Sequence, residues 1–521
     1  MKPEANEPIG WHAEVEELQR RKELATQMGG ADKVARQRSF GKLNVRERID
    51  AVLDPGSFRE LGSLTGTGRY DASGALTGFT PCNYIFGHGR IDGRQVVIQG
   101  DDYTVRGGSG EAGSRPKMVM AERMASEQRL PIVRLLDSSG GSVKTIASRE
   151  RTTPPGNPLW PWVNQTLGEV PVVALGLGSI TGNSAIRLVM SHYAVLVQGI
   201  SHLFIAGPPV VARLGQNVTK DELGSPEAQA AVGAVDEIAA SEQEAFALTR
   251  RFLSYLPSSV HELPPRTEPQ DDPRRRDEFL IDIIPRSRRK VYDVRKIIRA
   301  VVDRDSFFEI GSRYGKSIIT GFARLDGWAV ALVASDPRHY GGGWTAHAAQ
   351  KLMRFVDLGS TFHLPMVDLV DVPGFVVGVD AERAGALRHG ARAVSAMFQS
   401  QVPWCTIILR KVFGFGGSAH SNFSKLMLRY AWPSADWGSL PLEGGVEAAY
   451  RSELAQAADP AARLAEIEQQ LNAVRSPFRT AEHFEIEEII DPRDTRTILC
   501  EFANTAARLP RTGPVLNAMR P

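Results

Sequence analysis

Short apolar runs punctuate this chain, and stretches with helical periodicity lie between them. Val96-Val97-Ile98 is followed by a helical pattern from Pro116 to Glu127 and then by an apolar run, Ile132 to Leu136, that ends at Asp137. The order returns later in the chain: Val330-Ala331-Leu332, a helical pattern from Ala346 to Leu358, and an apolar run ending at Asp371. Each series continues through another helix to a third apolar run that closes on a glycine-bearing loop. Glu382 to Gln399 reads as a crossover helix interrupted by Gly385 and Gly390. Apolar strands alternating with helices predict an α/β fold with mostly buried sheets. At the N-terminus, Val15, Leu18 and Leu24 sit among charges, which predicts an amphipathic helix packed on the body or on another subunit.

The recurrence extends to the residues themselves. ERIDAVLDPGSFRELGS (47–63) returns as KIIRAVVDRDSFFEIGS (296–312), and GRIDGRQVVIQGDDYTVRGGS (89–109) as ARLDGWAVALVASDPRHYGGGW (323–344). LPIVRLLDSSGG (130–141) matches LPMVDLVDVPGF (364–375), and EVPVVALGLGSITGNSA (169–185) matches QVPWCTIILRKVFGFGGSA (401–419). The first block is offset by 249 residues, the next two by 234 and the last by 232, so the first copy carries a longer connection after Ser63. Two homologous domains follow, 36–265 and 290–510, preceded by a helical segment (1–35) and followed by a tail (511–521). The Pro-rich, charged LPPRTEPQDDPRRRDE (263–278) reads as linker, and we bound the linker at 266–289.

Composition narrows the function classes. The 521 residues exceed one ordinary core. With 62 basic and 60 acidic residues the net charge is +2, which gives no electrostatic footprint for nucleic acid or a membrane surface. No run is long and apolar enough to span a bilayer, and the N-terminal residues have no secretory h-region. Three scattered cysteines, Cys82, Cys405 and Cys500, form no disulfide or zinc pattern, so a cytoplasmic location is expected.

Candidate chemistry concentrates at the strand ends. Gly414 to Ala419 fits G-x-G-x-x-A, yet it closes its repeat, and no clean second strand precedes Asp436 as a dinucleotide fold requires. There is no Walker A loop, nucleophile elbow or H-E-x-x-H pattern, and no metal site is expected. Asp101-Asp102 reads as a solvated turn, Asp137 and Asp371 as helix caps, and His192 and His420 as packed helix residues. What remains is backbone chemistry. Glycine loops at strand ends present N–H groups that can hold a phosphate or a developing oxyanion. One such loop per repeat could hold two oxyanions at once.

Taken together, GKLNVRERI (41–49), DDYTVRGGS (101–109), the LLDSSGG loop, HLFIAGPPVVARLG…VTKDELGS (202–225), LVDVPGFVVG (369–378), RKVFGFGG (410–417) and YAWPSADWG (430–438) resemble the carboxyltransferase (β) subunits of biotin-dependent acyl-CoA carboxylases of the propionyl-, methylcrotonyl- and acetyl-CoA type. The likeness covers about 36–508. It implies two tandem crotonase (ClpP-like) superfamily domains, usually in a hexamer, with acyl-CoA entering on the N-domain side and carboxybiotin on the C-domain side. It implies one oxyanion hole at Gly182 and Asn183, a second at Phe415 and Gly416, and Ser418 at the position that tunes the acyl group. Gly140 and Gly141 would border the substrate, Arg106, Gly107 and Gly108 would contact CoA, and Gly374, Gly414 and Gly417 would lie on the biotin side. The chain has no Ala-Met-Lys-Met carrier motif, and Asn517-Ala518-Met519-Arg520 lacks the lysine, so biotin is expected on a separate biotin carboxylase/carrier (alpha) subunit. Departures at Asn183, Ser184, Arg187, Phe415 and Ser418 leave the acyl group open. They also keep two alternatives in view, a biotin-independent CoA-ester decarboxylase and a non-catalytic subunit of a hetero-oligomer.

Overall fold

The computed structural model of the chain describes residues 10–109, 114–141, 156–269, 271–420 and 427–521. It divides into two compact units, one made of Met1–Gln229 and Ile238–Arg250, the other of Ala230–Glu237 and Arg251–Pro521.

The first unit is built on a seven-stranded sheet. Arg59–Leu61, Tyr84–Ile91 and Arg94–Asp101 run antiparallel in series. Ile132–Leu136, Val172–Gly176 and Tyr193–Val197 then add in parallel. These three strands are buried at every position, as expected where helices cover both faces. Ser114–Gln128, between the strands Arg94–Asp101 and Ile132–Leu136, packs Ala121 and Ala125 against Tyr84, Phe86, Val97 and Ile132.

The second unit repeats this order. Phe308–Ile310, Ile318–Leu325 and Trp328–Ser335 are antiparallel, and Met366–Val372, Trp404–Phe413 and Leu428–Ala431 follow in parallel. Its core gathers Ile297, Ile298, Leu332, Val367, Leu369, Ile407 and Trp432.

Local devices are repeated with the sheets. Asn44 caps Val45–Val52: its Oδ1 accepts from the N–H groups of Arg46 and Glu47 at 2.9 and 3.0 Å, and Glu47 accepts from the Asn44 N–H at 2.8 Å. Its counterpart Asp293 caps Val294–Val301. Arg46 pairs with Glu60 at 2.9 Å, and Arg295 with Glu309 at 2.5 Å. Asp54 accepts from the N–H groups of Asp92 and Gly93, as Asp303 does from Asp326 and Gly327. The longer connection of the first copy is a hairpin, Gly66–Tyr70 paired with Leu76–Pro81, that has no counterpart among the described residues of the second.

Two expectations change in detail. The crossover helix is two helices, Val379–Arg383 and Ala386–Gln399, because Gly385 adopts φ +72° between them. Gly390 stays inside the second of them, where a Cβ would come within 2.3 Å of the Phe375 ring. The N-terminal helix forms at His12–Thr26, but Ala25 is its only buried side chain; Val15 and Leu18 remain 49% and 38% exposed. Residues 263–269 and 271–277 contain no helix or strand, but they belong to the second unit, where Arg275 donates to the Ala300 carbonyl at 2.6 Å and Arg266 pairs with Asp326 at 2.8 Å. No helix among the described residues is long and apolar enough to cross a membrane.

Candidate active site

In each unit a glycine turn follows a strand, Arg94–Asp101 or Trp328–Ser335, and rests on the loop after the next one, Ile132–Leu136 or Met366–Val372. Arg106, Gly107 and Gly108 all have positive φ, at 53°, 63° and 65°. Tyr340, Gly341 and Gly342 repeat the sequence of conformations at 51°, 61° and 87°. A Cβ on Gly108 would lie 2.5 Å from the Asp137 carbonyl oxygen, and one on Gly342 would lie 2.1 Å from that of Asp371. Only glycine permits that approach. The turn therefore fixes the Asp137 and Asp371 loops from below.

Both aspartates are fully buried in ion clusters. Asp137 meets Lys42 at 2.5 Å and Arg48 at 3.1 Å, and Arg48 also binds Glu242 at 2.6 Å and the Leu177 carbonyl at 2.8 Å. Asp371 meets Arg410 at 2.9 Å and accepts from the Tyr292 hydroxyl at 3.0 Å. Among the described residues neither carboxylate caps a helix, because cations claim both. Asp101 and Asp102 are not solvated either, at 1% and 2% exposure. Asp102 accepts from the N–H and hydroxyl of Thr104. Asp101 accepts from the Asp137 N–H and the Ser184 hydroxyl, each at 3.3 Å, and burial pushes its carboxyl up to about 6.

The glycine loops themselves converge in pairs. Gly182, at φ +62°, opens the helix Gly182–Val189, and a Cβ there would lie 3.5 Å from Gly140 Cα and 3.9 Å from the Gly141 nitrogen. Gly140, Gly141, Gly182, Asn183 and Gly108 line one recess of about 260 Å³, with Ser138, Ser184 and Arg187. The N–H groups of Gly182 and Asn183 start their helix, so no carbonyl within it can accept from them. In the second unit Gly414, at φ +59°, opens Gly414–Ser418. A Cβ on Gly416 would lie 3.3 Å from Gly374, so the two loops form a backbone cradle that a side chain would fill. Such a cradle fits a ligand that is held through its oxygen.

By position Gly414 is the counterpart of Gly182. The pair Phe415 and Gly416 therefore lies one residue further into its helix than Gly182 and Asn183. Phe415 is 58% exposed and meets Phe375 edge-on at 6.1 Å, and Phe375 stacks on Trp344 at 5.7 Å. Gly417 is buried against Val412, and the Ser418 hydroxyl donates to the Phe415 carbonyl at 2.8 Å.

Arg106 and Gly107 border a different recess of the first unit, about 590 Å³, with Lys33, Arg36, Lys42 and Lys220 around Phe40 and Tyr103. Cations around aromatic faces suit a phosphate-bearing base. Gly108, next in the chain, belongs to the smaller recess, so one turn joins the two. The sequence gives no sign of this cluster, because Lys33 and Arg36 on the helix Ala31–Ser39 and Lys42 just after it meet Lys220 from far along the chain.

His192 and His420 are not helical. His192 precedes the strand Tyr193–Val197, where its Nδ1 accepts from the Val172 N–H and its Nε2 lies 3.0 Å from the Leu167 carbonyl. His420 follows the last glycine helix, pairs through Nδ1 with buried Asp368 and lies edge-on to Trp344.

Comparison with known proteins bears on this geometry. Residues 36–517 match the carboxyl transferase domain family. The chain is 34% identical to the propionyl-CoA carboxylase carboxyltransferase subunit of Haloferax mediterranei, over 93% of this chain and 94% of that one. It is 32% identical to the methylmalonyl-CoA carboxyltransferase 12S subunit of Propionibacterium freudenreichii, over 96% and 95%. A crystal structure of transcarboxylase 12S, a hexamer with methylmalonyl-CoA and methylmalonic acid bound, superposes with a TM-score of 0.86 at 29% identity and 98% coverage of both chains. The α/β architecture of two tandem crotonase-like domains is that of these structures.

Proposed function

The chain belongs to the carboxyl transferase domain family, and on that premise we propose that it is the carboxyltransferase subunit of a biotin-dependent acyl-CoA carboxylase, moving a carboxyl group to the α-carbon of an acyl-CoA. The observation that carries this reading is the repeated cradle: in each unit a positive-φ glycine opens a helix, and a second glycine loop closes on that helix's first turn.

In the first unit the basic recess of Lys33, Arg36, Lys42, Arg106 and Lys220 would take the nucleotide end of CoA. The thioester would follow the Arg106–Gly108 turn to the smaller recess. There its oxygen would meet the N–H groups of Gly182 and Asn183 as negative charge develops on it. Peptide N–H donors suit this role because they do not titrate and are held in place before reaction. In the second unit the N–H groups of Phe415 and Gly416 would hold the ureido oxygen of biotin, with Gly374, Gly414 and Gly417 shaping the cradle. Biotin, carried by a separate alpha subunit, supplies the carboxyl group and the base for the α-proton. The protein's own task is then to hold one oxygen in each cradle before reaction.

The test is reconstitution. The purified chain alone should be inactive. With a biotin carboxylase/carrier subunit, ATP and labelled bicarbonate it should fix label into an acyl-CoA. Turnover of a malonyl-type CoA by the chain alone, without biotin, would instead establish a decarboxylase.

A further inference from the structure

Four basic residues occupy five positions shortly before the helix Val294–Val301 of the second unit: Arg286, Arg288, Arg289 and Lys290. They form a turn in which the Lys290 N–H donates to the Ser287 carbonyl at 3.1 Å. Arg288 pairs with Asp436 at 2.9 Å. Arg286, Arg289 and Lys290 are exposed, and their side chains pair with no carboxylate among the described residues. Cations crowded in this way, without counter-ions, favour the approach of an anion.

The turn is fixed to the cradle of Gly374 and Gly416. Arg410 donates from Nη1 to the Lys290 carbonyl at 2.9 Å and pairs through Nη2 with Asp371 at 2.9 Å. Tyr292, two residues on, donates to the same Asp371 carboxylate at 3.0 Å. Asp293 meets the exposed Arg338 at 3.4 Å. Arg338 leads into the turn Tyr340–Gly342, and just past it the Trp344 N–H donates to the Gly374 carbonyl at 3.1 Å, in the wall of the cradle.

The first unit uses the corresponding place for a different ligand. At the offset of 249 residues, Arg286, Arg289 and Lys290 correspond to Gln37, Phe40 and Gly41. At the offset of 234, Pro337 and Arg338 correspond to Tyr103 and Thr104. Gln37, Phe40, Tyr103 and Thr104 all line the larger recess of the first unit. The second unit has an arginine and a proline where that recess has its two aromatic faces, and it adds cations around them. Such a surface suits an acidic protein face better than a planar base.

We propose that Arg286, Arg289, Lys290 and Arg338 form the docking surface for an acidic face of the protein that carries biotin to this cradle. The inference rests on the carboxyltransferase reading of the cradle. Exposed cations steer and orient an approaching partner, so their effect is read in a rate at low salt. Each exposed ion pair adds little, but three acting together reach about tenfold.

The test uses the full-length chain and synthetic carriers. Methylmalonyl-CoA or malonyl-CoA gives its carboxyl group to the biotin ureido nitrogen, whose proton takes its place on the α-carbon. The acceptors are biocytin and two biotinyl-lysine peptides, one flanked by glutamates and the other by glutamines. At low salt the acidic peptide should be carboxylated with a kcat/KM about tenfold above that of the neutral one. The advantage should vanish in about 0.5 M salt, where exposed charges are screened within a few ångströms. It should also vanish when Arg286→Ser, Arg289→Ser and Lys290→Ser are combined, while biocytin is carboxylated equally by both chains. Equal rates for the two peptides, an acidic advantage that survives the triple substitution, or an equal loss with biocytin overturns the proposal. Tighter binding of a DNA duplex than of the acidic peptide, read by fluorescence anisotropy, overturns it in favour of nucleic acid. Failure of both esters to carboxylate any acceptor overturns the carboxyltransferase reading with it.

Discussion

Single backbone positions decide most of what this site can do. Gly416→Pro removes one N–H and adds atoms where a Cβ alone would lie 3.3 Å from Gly374. Transfer in the reconstituted enzyme should fall by about 10²–10³-fold, the usual cost of one oxyanion donor. Acyl-CoA affinity, measured by calorimetry, should not change, because the first unit is untouched. A second residue reports through pH. Lys351 is buried, and its Nζ donates to the carbonyls of Tyr314 and Ile318 at 3.0 and 2.7 Å. Burial lowers its pKa from 10.5 to about 8. Between those values the unfolded chain binds more protons at this site than the folded one, so its contribution to stability rises with pH. Urea midpoints from pH 7.5 to 10 should therefore climb more steeply, or fall less, in the wild type than in Lys351→Met. Parallel curves would show that Lys351 binds its proton equally in the folded and unfolded chain, with no lowering of its pKa.

At the scale of elements, the same strand-end carboxylate is held in two ways. Arg48, on the helix Val45–Val52, clamps Asp137 and Glu242 in the first unit. Arg410, on the strand Trp404–Phe413, clamps Asp371 in the second. Replacing Arg48 by Met should cost about 3–5 kcal/mol in denaturant unfolding, because two buried carboxylates lose their shared partner. The duplication, the strand order and the glycine loops were legible in the sequence, since the periodicity and the offsets of 249, 234 and 232 residues recur in the chain itself. The ion clusters were not. Asp101-Asp102 has the composition of a turn, and only the sheet shows that both side chains face inward. Arg187 was visible as a departure, but its burial beside Tyr84 and Glu122 is a fact of packing. The break at Gly385 was marked only as a weak point in a helix, because glycine is permissive rather than directive and its φ is set by what surrounds it.

For the whole molecule, the hexamer of the related transcarboxylase 12S core gives a specific expectation. Sedimentation should place the purified chain at six copies, and the exposed Trp11, Val15 and Leu18 of the N-terminal helix should be protected from hydrogen exchange there if that helix packs on a neighbour. A closed symmetric ring or dimer of rings would bury an apolar stripe of this kind. The two clamps on Asp137 and Asp371 have a further consequence. Immediately after a duplication, any stretch of one half could replace its counterpart in the other. That interchangeability is now lost: the first half's equivalent of Arg410 is Gly178, whose missing side chain leaves room for Asp137 and Lys42. The second half's equivalent of Arg48 is Ile297, packed in its core. Recombination within either segment alone would take the arginine from a buried aspartate, so exchange that keeps both clamps must carry both segments. The pair of clamps works as a reproductive barrier inside one gene, and it protects the separate specialisation of the two cradles from being averaged away.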